Sequence, residues 1–188
     1  MGCQVVNLTP EDLSTVDLSV YETIVFGIRA FNVYPELKNS REAVLNYIAN
    51  GGNVVVQYNT SSRWGKTEIP VSPFSMTIGR DRISEEKAEI DILKSRNELM
   101  RNPNKIEDED FEGWVQERGL YFATEFSEEF IPVLSGHDKG EDEKQGALIV
   151  AHYGKGRFIY TGISFFRELP AGVSGAYRIL ANLVTYEP

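Results

Sequence analysis

A chain of 188 residues, with 41% hydrophobic and 25% charged side chains, has the length and composition of one globular domain with a full core. Its 28 acidic and 19 basic residues give a net charge of −9, which excludes general binding to nucleic acid or to an anionic membrane surface. No apolar run is long enough to cross a bilayer, and a single cysteine, Cys3, excludes an internal disulfide and a Cys-rich zinc site.

The first third of the chain alternates short apolar runs with one helical pattern. A helix is predicted over Pro35–Asn50, ending at Gly51-Gly52, where glycine permits the positive φ of a helix terminus. Thr9 is expected to cap a short helical turn at Pro10–Leu13. Three runs predict strands, the second of them buried on both faces: Cys3–Leu8, Glu22–Ile28 and Asn53–Tyr58.

The middle of the chain carries weaker patterns. Residues Asn59–Arg82 are rich in Ser, Thr, Gly and Pro, which predicts an extended loop or an irregular hairpin. Ala88–Lys94 alternates with period two and predicts a strand, whereas Asn97–Asn104 predicts a turn. An acidic run at Ile106–Glu112 is followed by Trp114–Phe122, which fits either a strand or a short helix.

The last third carries the strongest signals. Ala147–Tyr153 and Arg157–Ile163 predict two strands joined by a tight turn at Gly154-Lys155-Gly156. A short strand is expected at Phe130–Ser135, and apolar residues at helical spacing predict a helix over Val173–Val184. Strand, helix and strand with short connections predict one α/β domain with a mainly parallel sheet and an antiparallel hairpin near the C-terminus.

Four runs of the sequence resemble a known module: YETIVFGIRAFN, VLNYIANGGNVVVQYNT, DFEGWVQERGLYF and YGKGRFIYTGISFFRELPAGVSGAYRILANL. They are similar to the glutamine amidotransferase-like domain that follows the catalytic domain in bacterial deacetylases of the LmbE/PIG-L type. More distantly they resemble ThuA-like domains and the trimerisation domain of certain β-galactosidases. The resemblance implies a flavodoxin-like three-layer α/β/α fold over residues 1–188 and a setting in carbohydrate metabolism.

The start of the chain leaves two interpretations open. The first strand and helix of the resembling domains have no counterpart before Met1, so the fold is expected either to lack them or to begin naturally at an edge strand. The first residues have neither a basic region nor an apolar signal core. The compartment is therefore open: periplasmic if the parent is an exported deacetylase, and cytoplasmic otherwise.

The residues that amidotransferase chemistry requires have no match. That reaction places a cysteine on a glycine-flanked elbow after a strand, but here the corresponding strand runs on into Tyr58-Asn59-Thr60. Cys3 lies on a different predicted strand and is expected to be a small buried side chain. His137 and His152 show no zinc or calcium spacing. We therefore predict no catalytic residue, no metal site and no cofactor.

A binding site, if present, is expected where ligands collect in open parallel sheets, outside the carboxyl ends of the strands. Amides, guanidinium forks and aromatic faces in that region suit a sugar or a carboxylate. Tyr58 and Trp64 offer further stacking faces. The candidate ligand-binding residues are Arg29, Gln57, Asn59, Arg80, Arg82, Trp114, Arg167 and Glu168.

The same residues support a structural alternative. Arg80, Arg82, Arg118 and Arg167 would pair with Asp81, Glu117 and Glu168 and fix an irregular loop to the sheet. Phe165-Phe166 and Trp114 would then be interface anchors, because aromatic side chains beside arginine are favoured at contact centres.

Two functional hypotheses follow. The first is a non-catalytic accessory domain of a carbohydrate-active, deacetylase-type enzyme, acting in interdomain packing, oligomerisation or sugar binding. Its partner would be the catalytic domain of the same polypeptide or a second copy. The alternative is a carbohydrate-binding or hydrolytic domain that uses a crevice at the carboxyl ends of the strands. A broad exposed apolar patch favours the first, and a concave site with converging polar groups favours the second.

Overall fold

The structure is a computed structural model that describes residues 2–63, 65–94 and 96–186. Five α-helices are α1 (Asp12–Thr15), α2 (Ala30–Val33), α3 (Arg41–Ala49), α4 (Phe165–Glu168) and α5 (Ser174–Val184). Single 3-10 segments cover Leu18–Val20, Pro35–Ser40, Glu98–Met100 and Asp108–Phe111. The strands are β1 (Thr23–Phe26), β2 (Asn53–Gln57), β3 (Thr67–Glu68), β4 (Met76–Ile78), β5 (Arg82–Ile83), β6 (Ile90–Ile92), β7 (Gly119–Leu120), β8 (Ala123–Phe126), β9 (Ile131–Pro132), β10 (Leu134–Gly136), β11 (Leu148–Tyr153) and β12 (Gly156–Thr161).

A five-stranded sheet in the order β1-β2-β12-β11-β9 forms the centre of the molecule. β2 pairs in parallel with both β1 and β12. β11 pairs antiparallel with β12 and with β9, so it alone runs against the other strands. The predicted α/β architecture, with a mainly parallel sheet and an antiparallel hairpin at β11–β12, is confirmed at this level.

Three small antiparallel sheets are built from residues 67–136. β3 and β4 lie within Asn59–Arg82, which was predicted as an extended loop or irregular hairpin, whereas β6 lies within the strand predicted at Ala88–Lys94. β4 pairs with β3 and β8, β5 pairs with β7, and β6 pairs with β10. Gly119 also forms a bridge with Ile163, which lies just beyond β12. These short sheets therefore reach the carboxyl end of the central sheet, where a ligand site was expected.

Apolar residues cover both faces of the central sheet, because successive side chains of a strand point to opposite faces. Val54 and Val56 of β2 belong to a core that includes Val44 and Ile48 of α3. Val55, between them, belongs to a second core with Ile179 of α5. No helix in the described part of the chain is long and apolar enough to cross a membrane.

Arg157 of β12 connects the sheet to the end of α5 and is 1% exposed. Its Nε donates to Asn53 Oδ1 at 2.8 Å, and Nη1 donates to Glu98 Oε1 at 2.8 Å. Nη2 donates to three carbonyl oxygens at the end of α5, those of residues 182, 183 and 185. Burial lowers the pKa of this guanidinium, and the pairing with Glu98 opposes that effect.

Two expectations about strands are wrong. Residues 3–8 form no strand, and Val5 and Val6 are exposed, because this segment has no strand partner among the described residues. Cys3 is likewise exposed rather than buried. β1 forms, but it lies at the edge of the sheet and Val25 is 44% exposed, so only one of its faces is buried.

Candidate functional site

The carboxyl ends of β1 and β2 are held together by backbone contacts. The backbone N–H of Arg29 donates to the carbonyl oxygen of Tyr58 at 2.8 Å. Arg29 adopts a left-handed conformation, with φ of 57°, and its side chain is exposed. The turn after β1 therefore places Arg29 beside Tyr58, the residue that follows β2.

Three aromatic rings meet at this end of the sheet. Tyr58 stacks on Tyr121, with ring centroids 5.8 Å apart and an interplanar angle of 16°. It also contacts Phe166, the second residue of α4, at 5.5 Å. Tyr58 itself is 7% exposed, whereas Tyr121 and Phe166 are half-buried. The accessible surface of this cluster is therefore provided by Tyr121 and Phe166, with Tyr58 beneath them.

A second guanidinium lies on the same cluster. Arg167 is centred 4.8 Å from the ring of Phe166, and its Nε donates to Glu117 Oε1 at 2.8 Å. The expected pairing of Arg167 with Glu117 is therefore present. The pair combines a cation on an aromatic face with a charge-assisted hydrogen bond, which fixes the direction of the guanidinium.

The pKa of the Tyr58 hydroxyl depends on burial and on its charged neighbours. Burial raises the pKa of Tyr58; Arg29 and Arg167 oppose that rise, while Tyr121 and Glu117 add to it. Tyr58 is thus a neutral phenol at physiological pH. We call the six residues Arg29, Tyr58, Glu117, Tyr121, Phe166 and Arg167 the crevice cluster.

Positive φ values concentrate at this cluster. In the described ranges, the non-glycine residues with positive φ are Arg29, Gln116 and Tyr121, of which two belong to the cluster and one precedes Glu117. Such a conformation costs an L-residue about 1–2 kcal/mol, and residues that tolerate it often serve a functional site. Tyr121 was not among the predicted site residues, because nothing in its sequence context signals a left-handed turn.

The segment that carries Tyr121 packs directly on the end of β12. A Cβ atom at Gly119 would lie 2.5 Å from the carbonyl oxygen of Gly162, and one at Gly162 would lie 2.6 Å from that of Leu120. The backbone N–H of Leu120 donates to the Gly162 carbonyl at 2.8 Å. Two glycines are therefore needed for this approach, which fixes the position of Tyr121.

Two predicted ligand residues, Gln57 at the end of β2 and Asn59 just after it, differ in how exposed their side chains are. Asn59 is 1% exposed; its Oδ1 accepts from the Phe31 backbone N–H at 2.9 Å, and its Nδ2 donates to the Gln57 carbonyl at 3.0 Å. Its amide is thus occupied in fastening α2 to β2. Gln57 is half-buried at the end of β2.

Trp114 and Glu168 are also engaged within the chain. Trp114 is 5% exposed, and its Nε1 donates to the Asp110 carbonyl at 2.8 Å. Glu168 is fully buried: Oε2 accepts from the Val115 backbone N–H at 3.0 Å, and Oε1 accepts from Ser164 Oγ at 3.3 Å. Arg118 donates to the carbonyls of Ala88 and Phe111 rather than to a carboxylate. These residues hold the segment before Tyr121 against α4.

Glu168 allows a test of this arrangement by pH. Burial raises its pKa above the ordinary value near 4.5, although its hydrogen bonds oppose the rise. Because the pKa of Glu168 is higher in the folded state than in the unfolded state, its protonation stabilises the fold below about pH 4.5. This contribution is lost as the pH rises through the pKa of Glu168 in the folded protein. Glu168→Gln removes this loss, so its free energy of unfolding should increase relative to the parent from pH 4.5 upward. Urea denaturation across pH 4 to 7 measures the difference.

A matched variant should show the opposite slope. Hydrogen bonding and attraction to Lys105 lower the pKa of exposed Glu107. Its linked stability is present above the ordinary pKa and is lost as pH falls, so Glu107→Gln should lose stability relative to the parent as pH rises. If the free energy of unfolding depended on pH in the same way for the parent and for Glu168→Gln, the predicted rise in the pKa of Glu168 would be contradicted.

Arg80 and Arg82 lie beside the segment of Tyr121 and are exposed. Arg82 pairs with Leu120 in the β5–β7 ladder, and the neighbours of Arg80 hydrogen-bond the Phe122 backbone. None of the ion pairs found among the described residues includes either arginine. Trp64, the other predicted stacking face, lies outside the described residues.

A groove of about 490 Å³ lies at the opposite end of the sheet, before β1 and β2. It is bordered by Tyr21, Tyr47, Asp17, Glu22 and Gly52. The Tyr47 hydroxyl donates to the Tyr21 carbonyl at 2.9 Å, so this ring acts within the scaffold. In residues 2–63, 65–94 and 96–186 there is no group of three His, Cys, Asp or Glu side chains placed to hold a metal ion.

Comparison with known proteins bears on the fold. No protein-family model matches the chain, and no curated protein matches it. Among solved structures, it is similar to cytoplasmic protein STM3548 of Salmonella typhimurium, with TM-score 0.57, 14% identity, and coverage of 94% of this chain and 75% of the other. Cytoplasmic protein STM1381 of Salmonella typhimurium LT2 gives TM-score 0.52 and 12% identity over 95% of this chain and 75% of the other. At such identities the likeness concerns the fold alone.

A third structure is a cold-adapted β-galactosidase from Rahnella sp. R3. It matches with TM-score 0.49 and 16% identity, over 89% of this chain and 24% of the other. A match at this level carries no argument about the chain.

Proposed function

We propose that this chain is a non-catalytic, flavodoxin-like three-layer domain that accompanies a carbohydrate-active enzyme and binds a sugar at the crevice cluster. One observation carries the proposal: aromatic rings and guanidiniums from four separate segments converge where the parallel strands end. That end of an open α/β sheet is the usual place for a ligand. The sequence resemblance to the accessory module of LmbE/PIG-L type deacetylases supports the carbohydrate setting.

The chemistry of the cluster suits binding better than catalysis. Half-buried rings at Tyr121 and Phe166 offer flat apolar faces, and Arg167 lies over one of them. Tyr58 is a neutral phenol without a neighbouring base that would activate it, and the Glu117 carboxylate is engaged by Arg167. Such a set can orient a polar ring through stacking and hydrogen bonds.

The test is a glycan titration followed by the amide chemical shifts of the chain. We expect a binding oligosaccharide to shift the amide signals of residues in the crevice cluster. Phe166→Ala or Tyr121→Ala should weaken binding by about 5- to 30-fold, corresponding to about 1–2 kcal/mol for one lost stacking contact. The thermal unfolding of each variant is measured as well. For Tyr121→Ala, a loss of affinity without a loss of stability shows that the ring contacts the ligand, whereas a loss of both shows that the ring supports the fold.

Tyr177→Ala is the matched control, because Tyr177 is a 40% exposed aromatic side chain on α5 and is not part of the cluster. Its affinity should equal that of the parent. Binding that is unchanged in both cluster variants, or absent from every glycan tried, would contradict the proposed function.

A second candidate function is association through the β1 edge with another copy of the chain. It is favoured by exposed apolar side chains near this open strand edge: Val20, Val25, Ile28, Val33 and Tyr34. We expect light scattering to detect a dimer whose association is weakened at least tenfold by Val25→Lys. A monomer at every concentration would contradict this candidate.

A further inference from the structure

We propose that the ligand of the crevice cluster bears a negative charge, either a carboxylate or a phosphate on a sugar ring, and that Arg29 recognises this charge. This inference rests on the crevice function proposed above and goes one step further, to the class of ligand. Three observations support it: the fixed backbone conformation of Arg29, the Nη groups of Arg167 that form no hydrogen bond within the described residues, and the net positive charge of the cluster.

The position of Arg29 is one where glycine would be easier to accommodate. Its φ of 57° lies in the left-handed region, and its backbone is fixed from both sides. Its N–H donates to the Tyr58 carbonyl at 2.8 Å, and its carbonyl accepts from the N–H groups of Asn32 and Val33 at 2.9 Å and 3.0 Å. The chain thus presents a long cationic side chain from a rigid, strained turn.

The guanidinium of Arg29 is exposed and takes part in none of the ion pairs formed within the described residues. Arg167 differs, because its Nε is used by Glu117 and its plane rests on Phe166. The hydrogen bonds of the described residues occupy only that Nε, which leaves the two Nη groups of Arg167 for another acceptor.

The charges of the cluster sum to a local excess of one positive charge, from two guanidiniums and one carboxylate. This excess stands out on a chain whose net charge is −9. The Arg29 backbone N–H donates to the Tyr58 carbonyl, and Arg167 lies on Phe166, whose ring contacts Tyr58, so both arginines border the same aromatic residue. A neutral sugar gains little from this field, whereas an anion gains charge-assisted hydrogen bonds and electrostatic attraction.

The planar fork of a guanidinium matches a carboxylate and a phosphate equally well. A sugar acid and a sugar phosphate therefore share the chemistry that the cluster recognises, and the half-buried rings of Tyr121 and Phe166 would stack on either sugar. Three probes separate these sources of charge: glucuronate, glucose 6-phosphate and glucose.

Titration of the intact chain with each probe, followed by amide chemical shifts, tests the inference. We expect glucuronate, glucose 6-phosphate or both to bind at least about tenfold more tightly than glucose, and that preference to shrink when NaCl rises from about 50 to about 500 mM. The probe that binds best identifies the carrier of the charge. Arg29→Gln should weaken binding of the anionic probe by a larger factor than it weakens binding of glucose, so the preference for the anion should shrink.

A second variant, Arg29→Gly, removes the same side chain and is expected to fold, because glycine adopts this φ without strain. It should unfold at a temperature no lower than that of the parent and still lose the preference for the anion. Arg101→Gln, at an exposed arginine outside the cluster, is the matched control and should keep it.

The outcomes separate the two proposals. Glucose binding as tightly as both anions, or Arg29→Gln weakening all probes equally, would overturn the role of Arg29 and leave the sugar site intact. Failure of all three probes and of the oligosaccharides to bind would overturn both.

Discussion

Arg157→Met should lower the free energy of unfolding by about 3–5 kcal/mol, because several buried polar groups lose their hydrogen-bond donor at a cost of about 1–3 kcal/mol each. Methionine fills much of the same volume, so the loss comes mainly from polar groups left without a partner. The Asn53 side chain and the carbonyls at the end of α5 would lose their donor. Chemical denaturation measures the effect, and the melting temperature should fall by roughly 10 °C.

Two further variants show whether geometry or charge matters at this position. Arg157→Lys keeps the charge but not the planar fork that reaches Asn53, Glu98 and the α5 carbonyls together, so it should recover only a minor part of the loss. Arg101→Met, at an exposed arginine, should change stability by less than about 0.5 kcal/mol. A loss below about 1 kcal/mol in Arg157→Met would contradict its role as the connection between sheet and helix.

Gly175→Ala should destabilise the chain by about 3 kcal/mol, although helix propensity alone predicts a gain of about 1 kcal/mol. Gly175 lies in the first turn of α5, and a Cβ atom there would be 1.7 Å from the Asp110 carbonyl oxygen. That oxygen also accepts the Trp114 Nε1 hydrogen bond at 2.8 Å. The helix and the 3-10 segment Asp108–Phe111 would have to separate, so steric overlap outweighs propensity.

Tryptophan fluorescence gives this variant a second readout. Displacement of Asp110 should free Trp114 and shift the emission to longer wavelength in the folded state. Gly27→Ala is the matched control, because a Cβ atom at Gly27 meets no atom within 4 Å and should change stability by less than about 0.5 kcal/mol. A Gly175→Ala variant as stable as the parent, with unchanged emission, would show that the contact is looser than described.

The central sheet and its helices could be predicted because their patterns are long and local. β2, β11, β12, α3 and α5 follow apolar runs or helical spacing that few other structures satisfy. The six residues from Cys3 to Leu8 look equally like a strand, yet they have no partner strand. A strand needs a second segment to pair with, and a local pattern does not contain that information.

The residues of the crevice cluster, too, were predictable from the sequence only in part. The sequence correctly predicts that Arg29 and Tyr58 lie at the carboxyl end of the parallel strands, because the end of each strand is visible in the sequence. Tyr121 could not be found, because its position depends on a positive φ and on the contact between Gly119 and Gly162. For Asn59, Trp114 and Glu168, residue type suggested a ligand, but their polar atoms form hydrogen bonds with backbone groups of the chain itself.

The contact between Gly119 and Gly162 bears on how fast a ligand would be captured. With no space between the two backbones, the segment that carries Tyr121 cannot move away from the end of β12 without breaking the Leu120 hydrogen bond. An incoming molecule would find the backbone of Tyr121 already in place, so binding would require no ordering of this segment. Observed association rates should then rise in proportion to ligand concentration, with no plateau from a preceding rearrangement.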